Sequence, residues 1–326
     1  MAKMIEVCNL SKKYARAKEF SVSDVSFDVD EGEFFAFLGP NGAGKTTTIS
    51  ILTTTLSMTE GSVKIAGYDV MKESQKVRNN VGIIFQKPSL DQNLTAEQNI
   101  RFHACLYGMY TYSPTFSLMP ESYKKRVYEL SEVVGIQDSL FKPIKKLSGG
   151  MQRKLEIIRS LVHTPKVLFL DEPTQGLDAV SRRGLWDYID GVRKEYGTTV
   201  FLTTHYIDEA ENVDKVAIIK KGQIAIQGSP EEMKNSLLRH EVVLDADDRY
   251  GLVFELTEMG LRPQVGENII VPCGNLSPQK IISGLTTELS VLKIKEPTLE
   301  DAYVEYIGSS FSETENDTEA EGGAAA

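Results

Sequence analysis

The chain has 326 residues, of which 41% are hydrophobic and 25% are charged, and its formal net charge is −10 at pH 7. This length allows one large domain or two unequal ones, and the acidic balance argues against a general nucleic-acid-binding protein. No apolar run approaches the roughly 18 residues of a membrane-spanning helix, and the N-terminus lacks the apolar segment of a signal peptide. The three cysteines, Cys8, Cys105 and Cys273, are too far apart to indicate a zinc site or a disulfide framework, and they suit a reducing cytosol.

The first part of the chain carries strand patterns. Two runs within residues 4–32 alternate apolar and polar side chains, which predicts a pair of strands. The loop between them contains Tyr14, whose ring is either a stacking surface for a nucleotide base or, as for most tyrosines, an amphipathic packing group. Five consecutive apolar residues, 34–38, then predict a buried strand.

A glycine-rich loop follows this buried strand. It reads GPNGAGKTT, matches the P-loop pattern GxxxxGK[ST], and should open a helix near Gly44. Backbone N–H groups of such a loop surround a phosphate, and the helix N-terminus adds about half a positive charge. Lys45 would reach the β- and γ-phosphates, and Thr46 would offer its hydroxyl group to Mg²⁺. The predicted P-loop consists of Gly39, Pro40, Asn41, Gly42, Ala43, Gly44, Lys45, Thr46 and Thr47.

Helical patterns dominate residues 94–162, after a predicted strand that ends in Gln86. If this glutamine faces the phosphate site, its side-chain oxygen can hold Mg²⁺ or a water; otherwise it is an exposed loop residue. A capping box at residues 95–98 predicts one helix, and the apolar stripe after Ser122 predicts another. Between them lies the apolar loop 109–120, which is either a partner contact or a loop tucked against the surface.

The segment LSGGMQRK, residues 147–154, predicts a second helix N-terminus that is suited to an anion. Ser148 can cap a helix that begins near Gly150, and Gly149 lets an anion approach bare N–H groups. A single P-loop needs no second site of this kind. We therefore infer that it serves the nucleotide of another molecule.

Two carboxylates follow the next buried strand. The apolar run 167–170 precedes Asp171 and Glu172, and ligands of open parallel sheets bind at the carboxyl ends of the strands. Asp171 is therefore placed to hold Mg²⁺ through a water, and Glu172 to activate the attacking water. Paired carboxylates can instead cap a helix, but Pro173 and the P-loop favour the catalytic interpretation.

A further buried strand, residues 198–205, ends in His205. In a parallel sheet this histidine points at the same edge as Asp171, where it can sense a γ-phosphate by a hydrogen bond. The other three histidines, His103, His163 and His240, are interpreted as structural.

From about Glu241 the pattern changes to that of a smaller unit. Strands and helices alternate up to residue 308, which predicts a small α+β domain without a catalytic constellation. The acidic tail predicts disorder. The predicted domains are residues 1–236, with a helical subdomain over about 87–162, then residues 237–308 and the tail 309–326.

Taken in order, GPNGAGKTT, Gln86, LSGGMQ, VLFLDEPT, GLD and His205 resemble the ATP-binding subunit of an ABC transporter over residues 4 to about 235. The strings TTHYIDEAE and EPTLEDAYVEYIG look like the exporter branch similar to daunorubicin-resistance and multidrug ATPases. The resemblance implies an α/β P-loop NTPase fold. It would have a RecA-like core, an antiparallel β subdomain and an inserted helical subdomain.

The same resemblance implies an ATPase that uses ATP and Mg²⁺ and energises export through a separate integral membrane permease. The chain would lie at the cytoplasmic face of the cell membrane. It would form a head-to-tail homodimer, or a heterodimer with a related ATPase, with each ATP between the P-loop of one subunit and residues 148–152 of the other. The helical block 87–162 would dock on the permease, with residues 87–93 as the relay.

The resemblance also implies roles for single residues. Glu172 would be the general base, His205 the γ-phosphate switch, and Lys45 a further catalytic residue that neutralises developing charge. The Mg²⁺-binding residues would be Thr46, Gln86 and Asp171. The ATP-binding residues outside the P-loop would be Tyr14, Gln86, Ser148, Gly149, Gly150 and Gln152. The sequence departs from the family pattern at Gln175, where a small residue is common, and in the length of the loop 109–120.

Other classes of ABC ATPase fit less well. A DNA-repair or chromosome-structure ATPase would split its motifs around a long heptad coil, and a translation-factor ATPase usually carries two cassettes. Neither feature occurs in this sequence. An importer ATPase or a soluble, non-transport ABC ATPase stays open as an alternative. The substrate cannot be deduced, because the translocation path belongs to another polypeptide.

Overall fold

The structure is a computed structural model, and it describes residues 2–86, 89–175, 177–236, 241–274 and 276–308. The chain divides into two compact units, the first ending at Ile226 and the second beginning at Gln227.

The strands that begin in the first unit are β1 (Lys3–Lys12), β2 (Val22–Asp30), β3 (Phe34–Leu38), β4 (Glu60–Ile65), β5 (Tyr68–Asp69), β6 (Val81–Ile84), β7 (Val167–Asp171), β8 (Thr199–Thr204), β9 (Lys215–Lys220) and β10 (Gln223–Gly228). Its helices are α1 (Lys45–Leu52), α2 (Ser74–Asn80), α3 (Ala96–Leu106), α4 (Glu121–Val134), α5 (Gly149–Leu161), α6 (Ala179–Tyr196) and α7 (Ile207–Ala210). Short 3₁₀ turns lie at Phe116–Leu118, Gln137–Ser139 and Ile144–Lys146.

The N-terminal strands form an antiparallel sheet with the order β2-β1-β4-β5. The two strands expected within residues 4–32 are the adjacent strands β1 and β2, with β2 at one edge of this sheet. On β1, buried Ile5 and Val7 alternate with the half-buried Glu6. Val7 lies opposite Phe27 on β2 and Val63 on β4, so the apolar alternation sets the register of three strands.

The central sheet has the order β10-β9-β3-β8-β7-β6, and the strands from β9 to β6 are parallel. Every residue of β3, β7 and β8 is buried, as their continuous apolar runs predict. The ring of Phe35 stacks on that of Phe27, with 5.2 Å between the centroids, and on that of Phe201, with 5.4 Å between the centroids. Because the strands are parallel, their carboxyl ends, and the residues that follow them, meet at one edge of the sheet.

Helices α3, α4 and α5 begin within one residue of the predicted positions. Thr95 and Gln98 form the capping box of α3, and Ser148 Oγ accepts a hydrogen bond from Met151 N at the start of α5. Gly135 ends α4 with a φ of 71°. The loop 109–120 is partly tucked in: Met119 is buried, whereas other residues of this loop remain exposed.

The second unit is a small α+β domain, as predicted. Its elements after β10 are α8 (Pro230–Ser236), β11 (Glu241–Asp245), α9 (Arg249–Glu258), β12 (Gln264–Val265), β13 (Ile269–Pro272), α10 (Pro278–Gly284), β14 (Val291–Lys295) and α11 (Leu299–Gly308). The strands form an antiparallel sheet in the order β12-β13-β11-β14. Leu244 and Leu252 belong to its apolar core. The division precedes the predicted boundary at 236/237, because α8 packs on α11, where Ser236 Oγ lies 3.2 Å from Tyr306 Oη.

The remaining differences are local. Strand β6 ends at Ile84, so Gln86 lies beyond the strand and not at its end. The short elements α2, α7, α8 and β12 are not predicted from the sequence. Among the helices of the described ranges, none combines the length and apolarity needed to cross a bilayer. Several predicted features lie outside the described residues: residues 87 and 88 of the relay loop, Gly176 of the GLD turn, His240 and the tail 309–326.

Candidate functional site

The P-loop connects β3 to α1, and glycine is required at two of its positions. Gly44 has a φ of 107°, and a Cβ atom there would lie 2.6 Å from the carbonyl oxygen of Ser21. A Cβ atom on Gly39 would lie 2.4 Å from the carbonyl oxygen of Ile219. Larger residues would therefore displace the loop from the sheet, and the glycines maintain its close approach.

Lys45 is the buried cation of the loop. Its Nζ donates hydrogen bonds to the carbonyl oxygens of Gly39 (2.7 Å) and Pro40 (3.0 Å), and it lies 3.5 Å from Glu172 Oε1. Only 4% of the Lys45 side chain is exposed. Burial lowers the pKa of this amine, and the carboxylates of Glu172 and Asp171 oppose that shift. The lysine is thus a desolvated cation within the glycine-rich loop, and its charge fits the phosphate groups of a nucleotide.

Glu172 is the centre of the site. It follows β7 in the left-handed backbone region, with a φ of 45°, and 7% of its side chain is exposed. Gln86 Nε2 donates to Oε2 at 3.2 Å, and His205 Nδ1 lies 3.3 Å from the same oxygen. Together with Lys45 on Oε1, three side chains from three different loops converge on one carboxylate.

His205 and Gln86 differ in how their polar atoms are satisfied. Within the described parts of the chain, the buried Nδ1 atom of His205 makes no hydrogen bond, although it lies 3.3 Å from Glu172 Oε2. Gln86 Nε2 also donates to Gln175 Oε1 at 2.8 Å. Gln175, the residue that departs from the family pattern, therefore helps to orient Gln86.

Asp171 is the last residue of β7 and lies beside the same cluster. Its Oδ1 atom accepts a hydrogen bond from Thr203 Oγ1 at 2.5 Å. Burial raises the pKa of the Asp171 carboxyl, and Glu172 adds to the rise, whereas Lys45 opposes it. A carboxylate kept in this environment is well suited to a hard divalent cation, and Thr46, at the start of α1, offers a second oxygen atom. The residues present therefore fit Mg²⁺ beside a nucleotide.

Tyr14 and the segment 148–152 differ in their position relative to the P-loop. Tyr14 Oη is 3.3 Å from Thr47 Oγ1, so the exposed ring lies next to the P-loop. Ser148 caps α5, and a Cβ atom on Gly149 would meet nothing within 4 Å. Gln152 Nε2 donates to the carbonyl oxygen of Leu147 at 3.1 Å, so this amide is used within its own chain. Within the described residues, no hydrogen bond joins residues 148–152 to the P-loop.

Some residues of the site region are not predicted from the sequence. Glu209 of α7 is buried and accepts hydrogen bonds from Thr204 Oγ1 (2.6 Å) and from Thr174 Oγ1. It therefore connects the loop after Glu172 to the end of β8, next to His205. The string TTHYIDEAE contains Thr204 and Glu209, but their spacing carries no signal of this contact.

Comparison with known proteins identifies the family. The family model described as ABC transporter matches residues 22–175. The daunorubicin/doxorubicin resistance ATP-binding protein DrrA of Streptomyces peucetius is 38% identical over 234 residues, which cover 72% of this chain and 67% of DrrA. The chain belongs to the ABC transporter family of ATP-binding proteins.

Other similar proteins agree with this assignment. The "Probable multidrug ABC transporter ATP-binding protein YbhF" of Escherichia coli (strain K12) is 37% identical over 232 residues. These cover 71% of this chain but only 38% of YbhF, so the chain matches little more than a third of that relative. The solved structure described as a dimeric post-hydrolysis state of the ATP-binding cassette MJ0796, bound to ADP and Pi, has a TM-score of 0.62 and 27% identity. It covers 69% of this chain and 98% of that one, so the P-loop NTPase fold of the ABC family is confirmed.

Proposed function

We propose that this chain is the ATP-hydrolysing subunit of an exporter whose substrate passes through a separate integral membrane permease. The observation that carries the hydrolytic part is the convergence of Lys45, Gln86 and His205 on the carboxylate of Glu172. The names of the relatives, which refer to drug resistance and to multidrug transport, support the export part.

The site suggests how hydrolysis proceeds. Lys45 exchanges the carbonyl oxygens of Gly39 and Pro40 for the β- and γ-phosphates. Glu172 then accepts a proton from the attacking water, while His205 donates a hydrogen bond to the γ-phosphate. Most of the rate enhancement comes from positioning and from charge stabilisation in a buried site.

Mg²⁺ supplies neutralisation of the phosphate charge when it is bound. Thr46 and Asp171 would hold it, Asp171 through a water. Gln86 donates from Nε2 to Glu172 and Gln175, which leaves its Oε1 atom for the metal ion or a water. Tyr14 would stack on the adenine ring.

A second subunit would complete the site. Ser148 and Gly149 present the N-terminus of α5, which is attractive to an anion. We propose that this end binds the ATP of a second copy of the chain, or of a related ATPase, in a head-to-tail dimer. Gln152 would contribute its backbone rather than its side chain, since its amide binds the Leu147 carbonyl. A dimeric cassette among the similar structures supports this arrangement.

The helical region would supply the permease contact. A groove beside α3 is lined by Ser89, Leu94, Phe102, Leu106 and Arg159, among others. Leu106 is 84% exposed, which is unusual for a large apolar side chain. The proposed partner is therefore an integral membrane permease, with the chain bound peripherally at the cytoplasmic face of the membrane. We expect no nucleic-acid partner.

The substitution Glu172→Gln tests the hydrolytic part. Loss of the general base should lower the ATPase rate by about 10²- to 10⁴-fold. ATP affinity, measured with a fluorescent analogue, should stay close to that of the wild type. The matched control is Glu31→Gln, which changes an exposed glutamate that precedes the N-terminal end of β3, opposite the end that leads into the P-loop. Normal turnover in Glu172→Gln would overturn the base assignment, and loss of ATP binding would overturn the proposed geometry.

A further inference from the structure

Helix α5 covers the open edge of the central sheet. Among the strands that the structure describes, β6 is an edge strand, so alternate carbonyl groups on its outer side have no neighbouring strand there. Side chains of α5 and of the residues after it bind them: Ser160 Oγ donates to Ile83 O at 2.9 Å, and His163 Nε2 to Val81 O at 2.9 Å. The helix that begins at Ser148 is therefore hydrogen-bonded along the strand that leads to Gln86.

Arg153 continues this series at the end nearest the site. Its Nη1 donates to Phe85 O at 2.5 Å, and its Nε donates to Pro173 O at 2.8 Å. Phe85 precedes Gln86, and Pro173 follows Glu172. One guanidinium group thus holds the backbone beside two side chains that are themselves 3.2 Å apart. The rigid fork of arginine makes this bridge, and a lysine cannot reproduce it.

Glu156 holds Arg153 in place and adds a third segment. It is 0% exposed, its Oε2 atom accepts from Arg153 Nη1 at 2.8 Å, and its Oε1 atom accepts from Ser89 N at 2.8 Å. Arg159 Nη1 donates to the carbonyl oxygen of Ser89 at 2.8 Å. The segment around Ser89, which lines the proposed permease groove, is therefore tied to the same pair.

The buried pair of Arg153 and Glu156 would be energetically unfavourable if it served stability alone. Burial lowers the pKa of Arg153, against the opposing effect of Glu156. The buried Arg153 Nη2 atom has no hydrogen-bond partner among the residues that the structure describes. Well-packed apolar residues often replace a buried ion pair without loss of stability. The hydrogen bonds of Arg153 and Glu156 to the backbone of Phe85, Pro173 and Ser89 therefore indicate a role in the site.

We propose that Arg153 and Glu156 are positioning residues, which align Gln86 with Glu172 and couple both to the segment around Ser89. This inference rests on the proposed ATPase function. Neither residue contacts the reacting atoms. They act through the backbone of Phe85 and Pro173.

The test compares the ATPase kinetics of Arg153→Lys, Glu156→Gln and the apolar double variant Arg153→Met/Glu156→Leu with those of wild type. We expect kcat to fall by about tenfold or more in each, because small misplacements of reacting groups are costly, while KM and the affinity for a fluorescent ATP analogue change by less than about twofold. The matched control is Ser160→Ala, which removes a hydrogen bond of the same helix to the same strand away from the site. It should keep the wild-type kcat.

A second measurement does not depend on activity. Hydrogen exchange at the Ser89 amide should be about tenfold faster in the double variant, because its acceptor is lost, and unchanged in Ser160→Ala. Wild-type kcat in the double variant would overturn this inference. So would an equal loss of kcat in Ser160→Ala. If the double variant does not fold, the two single variants decide, by the same kcat criterion. A wild-type chain without ATPase activity would overturn the proposed function itself, which distinguishes the two failures.

Discussion

The two compact units differ in what they bury. The first buries charged side chains, among them Lys45, Glu156, Asp171 and Glu172, whereas in the described residues of the second, every buried side chain is apolar or a cysteine. A buried charge opposes folding unless it is well paired, so a fold that only needs stability has no reason to keep one. The comparison indicates that the first unit carries chemistry and that the second is built as an ordinary apolar core.

The largest expected effect comes from removing the central cation of the first unit. Lys45→Ala should lower the ATPase rate by about 10³-fold, because the transferring phosphate loses its main buried positive charge. A steady-state phosphate-release assay measures this. Lys295→Ala is the control in the second unit, where the lysine pairs with Glu241 at 3.4 Å and is largely exposed. Equal losses in both variants would remove the distinction between the units.

A cavity in the second unit should lower the stability of that unit but leave the ATPase activity unchanged. Leu252→Ala removes a fully buried side chain of α9 and should destabilise this unit by about 2–5 kcal/mol, as measured by urea denaturation. The kcat for ATP should stay unchanged under native conditions. Tyr250→Ala, at an exposed position on the same helix, should be near neutral. A fall of kcat in Leu252→Ala at temperatures where the unit remains folded would contradict the proposed division of roles.

A smaller effect is expected at Asp171, where a substitution should raise the free energy of unfolding instead of lowering it. Its pKa is raised in the folded chain, so the folded state binds the proton more tightly than the unfolded state does. Ionisation therefore costs stability as the pH rises from the ordinary range of a carboxyl group through the raised pKa. Asp171→Asn should raise the free energy of unfolding of the nucleotide-free chain by about 1 kcal/mol at pH 7, and the gain should shrink towards pH 4.

Urea denaturation at several pH values measures this difference. The control is Asp190→Asn, which changes a half-exposed carboxylate that pairs with Lys194 at 2.6 Å. It should alter stability by less than about 0.5 kcal/mol. A destabilised Asp171→Asn at neutral pH would show that the carboxylate is retained for folding rather than for Mg²⁺.

Much of the site follows from local sequence. The P-loop, Glu172 and His205 each stand directly after a buried strand, and Asp171 is the last residue of one. A parallel sheet therefore brings them together without further information. The caps at Thr95 and Ser148 are equally local, because each side chain binds the backbone within the first turn of its own helix.

What the sequence does not reveal depends on contacts between distant segments. Arg153 on α5 reads as one more charged helix residue until the structure places it against Phe85 and Pro173. The hydrogen bond of the Gln152 side-chain amide within its own chain likewise depends on packing in the folded structure. The domain boundary shifts for the same reason, since the contact between α8 and α11 joins segments far apart in the chain.

We propose that a second subunit completes the site and that hydrolysis, with Glu172 as the base, reopens it. Sedimentation velocity of Glu172→Gln with ATP and Mg²⁺, and then with ADP, tests both parts together. We expect Glu172→Gln to be a stable dimer with ATP and a monomer with ADP, while the wild type should form the dimer only transiently. A Glu172→Gln chain that binds ATP fully and remains a monomer would contradict it.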